Sequence, residues 1–253
     1  MPTIAGSPGN RRKKLLIPLP RKNTWCMCCL RVSNRDWELK GDGIRHPFKV
    51  GCISDTAQSK SCAHCAKQHK VCESVPEGIE GNRFELLSLL AWSEHIWLTS
   101  EGEYGASLDQ RDGDGDPVEF ALPWDLIVAV SEAVRDLVAG FDNLVKNHKH
   151  LHHLTGTRVP LAVHDSYNQW VADRRSSLVR DTRTVVHDWD RLAVEASIRG
   201  RLVGSEESVH AWHGAVVSFK AVVEHAISAH VVDPVVSAAL AMHLSYFPFA
   251  WEL

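Results

Sequence analysis

Apolar residues recur at threes and fours through most of the second half of the chain. From Trp124, the positions Ile127, Val128, Val134, Leu137, Val138, Phe141, Leu144 and Val145 keep one face apolar. This predicts a long amphipathic helix reaching the histidines near His153, with Gly156 as its terminator. A second run opens after the capping candidates Asp165 and Ser166. It carries Trp170, Val171, Leu178, Val185, Val186, Trp189, Leu192 and Ala193 and closes at Gly200. A third starts at Ser205, where Glu206 and Glu207 suit the positive end of a helix dipole, and continues through Val209, Trp212, Val216, Phe219, Val223 and Ile227. Asp233-Pro234 opens the last, Val235 to about Tyr246. Four such helices with short connections bury their stripes most economically as an antiparallel bundle. Nothing in residues 80–253 alternates with the period of a strand, and no repeat of fixed length is visible.

Before the bundle the pattern changes. Residues 1–22 show neither helical nor strand periodicity and read as a disordered basic arm. Val75-Pro76 stops whatever precedes it, and Asn82 is placed to cap a helix carrying Phe84, Leu87, Leu90 and Trp97 on one face. Ser100 to Pro117 is polar. Its Asp112-Gly-Asp114-Gly-Asp116 matches the first ligand positions of a calcium loop, but Pro117 stands where the turn glycine belongs and Pro123 where the closing Glu belongs. It therefore reads as a linker. The expected organisation is a basic arm over 1–22, a zinc module over 23–78, a helix and linker loop over 79–123, and a helical bundle over 124–253. The expected fold is thus mostly α, a small zinc-stabilised N-terminal module followed by an antiparallel helical bundle. The longest uncharged stretch, Pro234 to Trp251, holds Ser237, His243, Ser245 and Pro248 and reads as a buried terminal helix rather than a membrane span.

The chemistry is concentrated in the module. All seven cysteines fall between Cys26 and Cys72, in the order Cys26-x2-Cys29, Cys52, Cys62-x2-Cys65-x6-Cys72, with Cys28 left over. A C-x2-C pair lets one tight turn aim two thiolates at a single ion, and two such pairs point to zinc. An odd cysteine count, the absence of an N-terminal apolar signal segment and a basic start argue against a disulfide framework. Cys26, Cys29, Cys52, Cys62, Cys65 and Cys72 are the expected ligands for one or two zinc ions, with Cys28, His64, His69 and His46 as candidates to complete a site. A rival grouping places Cys26, Cys29, Cys62 and Cys65 on one ion. In either grouping four protein ligands leave no position for substrate, so the metal is structural and residues 25–75 fold with it.

The segment Cys62-Ala-His64-Cys65-Ala-Lys67-Gln-His69-Lys70-Val-Cys72, preceded by Lys60 and followed by Val75-Pro76, resembles the second half of the fungal-type binuclear zinc cluster. Cys26-x2-Cys29 resembles the opening of its first half. The resemblance implies six cysteines around two zinc ions, two sulfurs bridging, in a nuclear DNA-binding regulator. It covers about one fifth of the chain. The family's short, mostly basic spacer between its second and third cysteines is here 22 residues, with only Arg31 and Arg35 near the expected DNA-facing side. In this stretched layout the chain is similar to a group of uncharacterised fungal cysteine-rich proteins.

Charge is divided sharply. Residues 1–75 carry 14 Lys and Arg against 5 Asp and Glu, whereas the remainder carries 14 against 26. A basic surround to a zinc module suits a polyanion, and it also offsets the excess negative charge of six thiolates on two dications. Arg11, Arg12, Lys13, Lys14, Arg31, Arg35, Lys60, Lys67 and Lys70 are the candidate nucleic-acid contacts. The acidic bundle is expected to mediate homodimerisation or protein contact, and the alternative to DNA binding is a zinc-stabilised protein-interaction module. His148, His150, His152 and His153 suit the negative end of a helix dipole, and His148 and His152 have the i,i+4 spacing of a metal pair. No nucleophile elbow or phosphate-cradling loop is present, so an enzyme is not expected. A nuclear location is expected, with the cytoplasm as the alternative.

Overall fold

A computed structural model describes residues 18–21, 24–37, 47–55, 61–100, 124–156, 158–178, 184–185, 187–203 and 207–245. The fold is mostly α. Two three-residue strands, β1 (Pro18–Pro20) and β2 (Ile53–Asp55), pair antiparallel with Leu19 opposite Ser54. The helices are α1 (Met27–Asp36), α2 (Ala63–Lys67), α3 (Glu80–Ser100), α4 (Trp124–Leu151), α5 (Leu161–Ser176), α6 (Asp188–Arg199), α7 (Glu207–His230) and α8 (Pro234–Ser245), with a 3-10 turn at Glu77–Ile79 leading into α3. Most of the basic arm and the whole 101–123 linker, with its Asp-Gly repeat, lie outside the described residues. Residues 18–20, expected to be part of the arm, are strand.

Helix α4 packs chiefly on α7, and α3 on α6 and α4, while α8 rests on α7. The long helix expected between Asp165 and Gly200 is two helices, α5 and α6, and Val185 between them is half exposed. Periodicity ran across the break because Leu178 and Val185 happen to keep the step. The expected α3 capped by Asn82 instead starts at Glu80, and the Asn82 side-chain carbonyl accepts the Leu202 N–H at 2.9 Å. Helix α3 is buried on every side from Gly81 to Leu90. It is enclosed there by its neighbours, so the apolar face read from Phe84, Leu87 and Leu90 is only part of what it buries: Asn82, Glu85 and Ser88 are buried as well.

Two aromatic chains fill the interior. Trp25 meets Phe141 edge-on at 6.1 Å, Phe141 meets Trp212 at 5.6 Å, and Trp92 meets Phe219 at 6.2 Å. One continuous apolar cluster therefore runs from the cysteine module through α4 into α7. The bundle and the module share a core. The close approach of α3 to the end of α6 depends on glycine: a Cβ on Gly81 would lie 2.0 Å from the Gly200 carbonyl oxygen, and Gly200 itself has φ +81°. Among the described residues no helix is long and apolar enough to cross a membrane.

Candidate metal centre

Each C-x2-C pair sits at a helix start. Cys26 and Cys62 occupy the N-cap positions of α1 and α2, and their sulfurs accept the backbone N–H of Cys29 and Cys65, each at 3.4 Å. The first cysteine of each pair is thus held by the helix end that also points the second one inward. Cys52 is delivered by the small sheet: it immediately precedes β2, and its carbonyl accepts the Arg21 N–H at 2.7 Å. Cys72 closes the set, its sulfur accepting the Cys62 N–H at 3.0 Å. The turn between Cys65 and Cys72 needs a left-handed residue, and His69 supplies it at φ 54°.

The sulfurs form two groups of four, Cys26, Cys29, Cys52, Cys62 and Cys26, Cys62, Cys65, Cys72, and within each group all lie within 4.8 Å of one another. Cys26 and Cys62 belong to both. The rival foursome of Cys26, Cys29, Cys62 and Cys65 is neither group. Contacts of 3.8 Å for Cys26–Cys62, 3.6 Å for Cys26–Cys65 and 3.5 Å for Cys29–Cys62 are far longer than a disulfide, and all seven cysteines are free. They match the roughly 3.8 Å edge of a tetrahedron of thiolates about 2.3 Å from a central zinc. Six described cysteines are therefore placed to hold metal, and the donor set fits zinc. Cys28, His64 and His69 belong to neither group.

The electrostatics show what the cluster lacks without a cation. Burial and adjacent thiols push Cys29 and Cys65 far above the ordinary thiol range, and a Cys52 contact together with burial raises Cys26 to about 11. Cys62, although buried, is drawn below its usual range by the Cys65 N–H and the surrounding thiols. One thiolate at the shared position is favoured, but several together require a compensating positive charge.

The basic residues divide. Arg31 points into the molecule, with its Nε 2.7 Å from Asp142 on α4 and its other nitrogens on Glu73. Lys149 reaches the same Glu73 at 2.7 Å, and Lys146 reaches Asp142 at 2.7 Å. Although burial opposes it, Arg31 and Lys149 hold the Glu73 carboxyl below the usual carboxylate range. Arg35 pairs with Asp36 in solvent. Lys67 and Lys70 are exposed beside α2, while Arg11, Arg12, Lys13, Lys14, His46 and Lys60 lie outside the described residues. Sequence reasoning assigned Arg31 outward. The signal it missed was Glu73, an isolated acid directly after the last ligand in a basic segment.

The histidines at the end of α4 also divide. His148 is buried, and burial first, then His152 and Arg174, hold it down to about 3. Its Nε2 lies within hydrogen-bond distance, 2.9 Å, of the Tyr167 hydroxyl, which also accepts the Gly78 N–H at 2.9 Å. The expected solvated, dipole-facing role is left to His150 and His153, which are exposed. Among the described residues the metal-capable groups are the two cysteine sets alone. No family model, curated protein or solved structure matches this chain.

Proposed function

We propose that the six cysteines hold two zinc ions as a structural cluster, and that the protein is a zinc-stapled, non-catalytic interaction protein whose helical body carries the partner-binding surface. The observation that carries this reading is the pair of four-sulfur groups sharing Cys26 and Cys62. Six thiolates give two tetrahedral ions four ligands each only when two are shared, and neither ion then keeps an open position for chemistry. The inward pairing of Arg31 with Asp142 and Glu73 supports an interaction role over DNA reading, because it turns the best-placed basic side chain of α1 toward α4. Native mass spectrometry of the full chain tests the cluster, with two zinc ions per chain expected and one or none against it. Affinity capture tests the interaction role: partners retained after nuclease treatment support it, and their complete loss opposes it.

A second reading, a nuclear DNA-binding or chromatin-associated regulator, is favoured by Lys67 and Lys70, which stay exposed beside the cluster in a strongly basic segment. The full zinc-loaded chain would then bind duplex DNA with an affinity that falls steeply as salt rises. Lys67→Glu with Lys70→Glu would weaken that binding. Absence of binding at low ionic strength rules the second reading out.

A further inference from the structure

Resting on the zinc reading above, we propose that occupancy of the cluster controls the docking of α5: metal at Cys72 fixes the segment that follows it, and that segment is the seat on which α5 is held. Helix α5 packs closely along no other helix among the described residues, and of its residues only Tyr167 and Val171 are buried. Besides the Arg174 bond to the Arg201 carbonyl and the ring contacts of Tyr167 and Trp170 with His148 and His152, its attachments meet residues 77–78. Tyr167 hydrogen bonds to the Gly78 N–H, and Arg175 meets Glu77 at 2.6 Å. Trp170 lies so close to Gly78 that a Cβ there would sit 2.4 Å from its ring. Six residues before Gly78 stands Cys72.

The segment between them is clamped from the metal side. The Glu73 carbonyl accepts the Met27 N–H at 2.9 Å, one residue after the shared ligand Cys26. The Glu73 carboxylate gathers Arg31 of α1 and Lys149 of α4. Thiolates released from metal repel one another or take up protons, and either change frees Cys72 and the position of Glu73. The end of α4 then loses Lys149's partner, and the Gly78–Tyr167–His148 chain loses its fixed donor. A cleft of about 340 Å³ between α4 and α5, lined by Leu151, His152, His153, Ser166, Tyr167 and Trp170, exists only while α5 is docked. Loss of metal would open it and expose the ring faces of Tyr167 and Trp170.

Hydrogen exchange on the full chain, loaded with zinc and then stripped by a chelator, tests the latch, with metal content checked by native mass spectrometry on the same samples. Stripping is expected to speed exchange in residues 161–176 by about tenfold or more, while α8 changes little. If α5 exchange stays the same in a chain verified to have lost its metal, the latch is wrong although the cluster stands. A loaded chain that never contained zinc overturns the cluster reading itself. Should stripping unfold the whole chain, the zinc-loaded variants decide. Glu73→Gln with Tyr167→Phe keeps all six ligands, and it should retain two zinc ions yet exchange α5 at the rate of an undocked helix. Wild-type protection of α5 in that loaded double variant overturns the proposal.

Discussion

Single residues carry the sharpest consequences in the cysteine cluster. Because Cys26 and Cys62 belong to both sulfur groups, Cys62→Ser should abolish or strongly weaken binding of both zinc ions, whereas Cys28→Ala should leave two. Native mass spectrometry of the three chains measures this directly. A second residue, Glu85, is fully buried, with its Oε2 accepting the Trp212 indole N–H at 2.9 Å and Arg201 3.8 Å away. Burial outweighs Arg201, Trp212 and Asn82 and raises its carboxyl from 4.5 to about 7. The folded state therefore holds this proton more tightly than the unfolded chain does. The group's contribution is fully present below about pH 4.5 and is lost as pH rises through 7. Glu85→Gln keeps the acceptor for Trp212 and removes the charge. It should flatten that pH dependence and gain on the order of 1–3 kcal/mol over wild type at pH 8, read from denaturant unfolding at both pH values.

Elements differ in what holds them. Helix α3 is enclosed from Gly81 to Leu90, and its start touches the end of α6 backbone to backbone. Gly81→Ala would press a methyl group into the Gly200 carbonyl, which no rotamer can relieve. A loss of about 1–3 kcal/mol or more is expected, with a lowered Tm as the readout. Helix α1 is held by two different forces: the cysteine cluster at its start, through Cys26 and Cys29, and the Arg31–Glu73 and Arg31–Asp142 ion pairs along its side. Replacing Arg31 with Met leaves two partly buried carboxylates short of a cation. Lys149 and Lys146 still neutralise them in part, so a moderate loss of about 1–3 kcal/mol is expected, with zinc content unchanged.

Across the whole molecule, module and bundle share one apolar core. Trp25 beside the cluster packs on Phe141, which packs on Trp212 deep in the bundle. Removing zinc should consequently lower the thermal midpoint of the helical signal and not merely loosen the first 78 residues. Circular dichroism melts with and without chelator measure it; an unchanged helical midpoint would mean the two parts fold separately. Because ligands must be deprotonated, zinc should also leave as pH falls, and helical stability should fall with it.

The amino-acid sequence by itself determined the helical class and pointed to the cysteines that the fold gathers into groups able to hold a metal. Cysteine spacing constrains thiolates within a single turn, periodicity marks α4 and α7, and Asp233-Pro234 marks the start of α8. It could not find the break between α5 and α6, because apolar residues such as Leu178 and Val185 kept the helical step beyond the end of α5 at Ser176. Nor could it show that α3 is enclosed, since the face of Phe84, Leu87 and Leu90 gave no sign that the polar Asn82, Glu85 and Ser88 are buried too. It also missed the strand that carries Cys52 into place, for three residues are too few to show a period. Only tertiary structure decided that Arg31 faces inward, that His148 is buried against Tyr167, and that Cys26 and Cys62 belong to both groups of sulfurs. Each of those depends on partners more than ten residues away, and pairing at that range is set by how the elements pack.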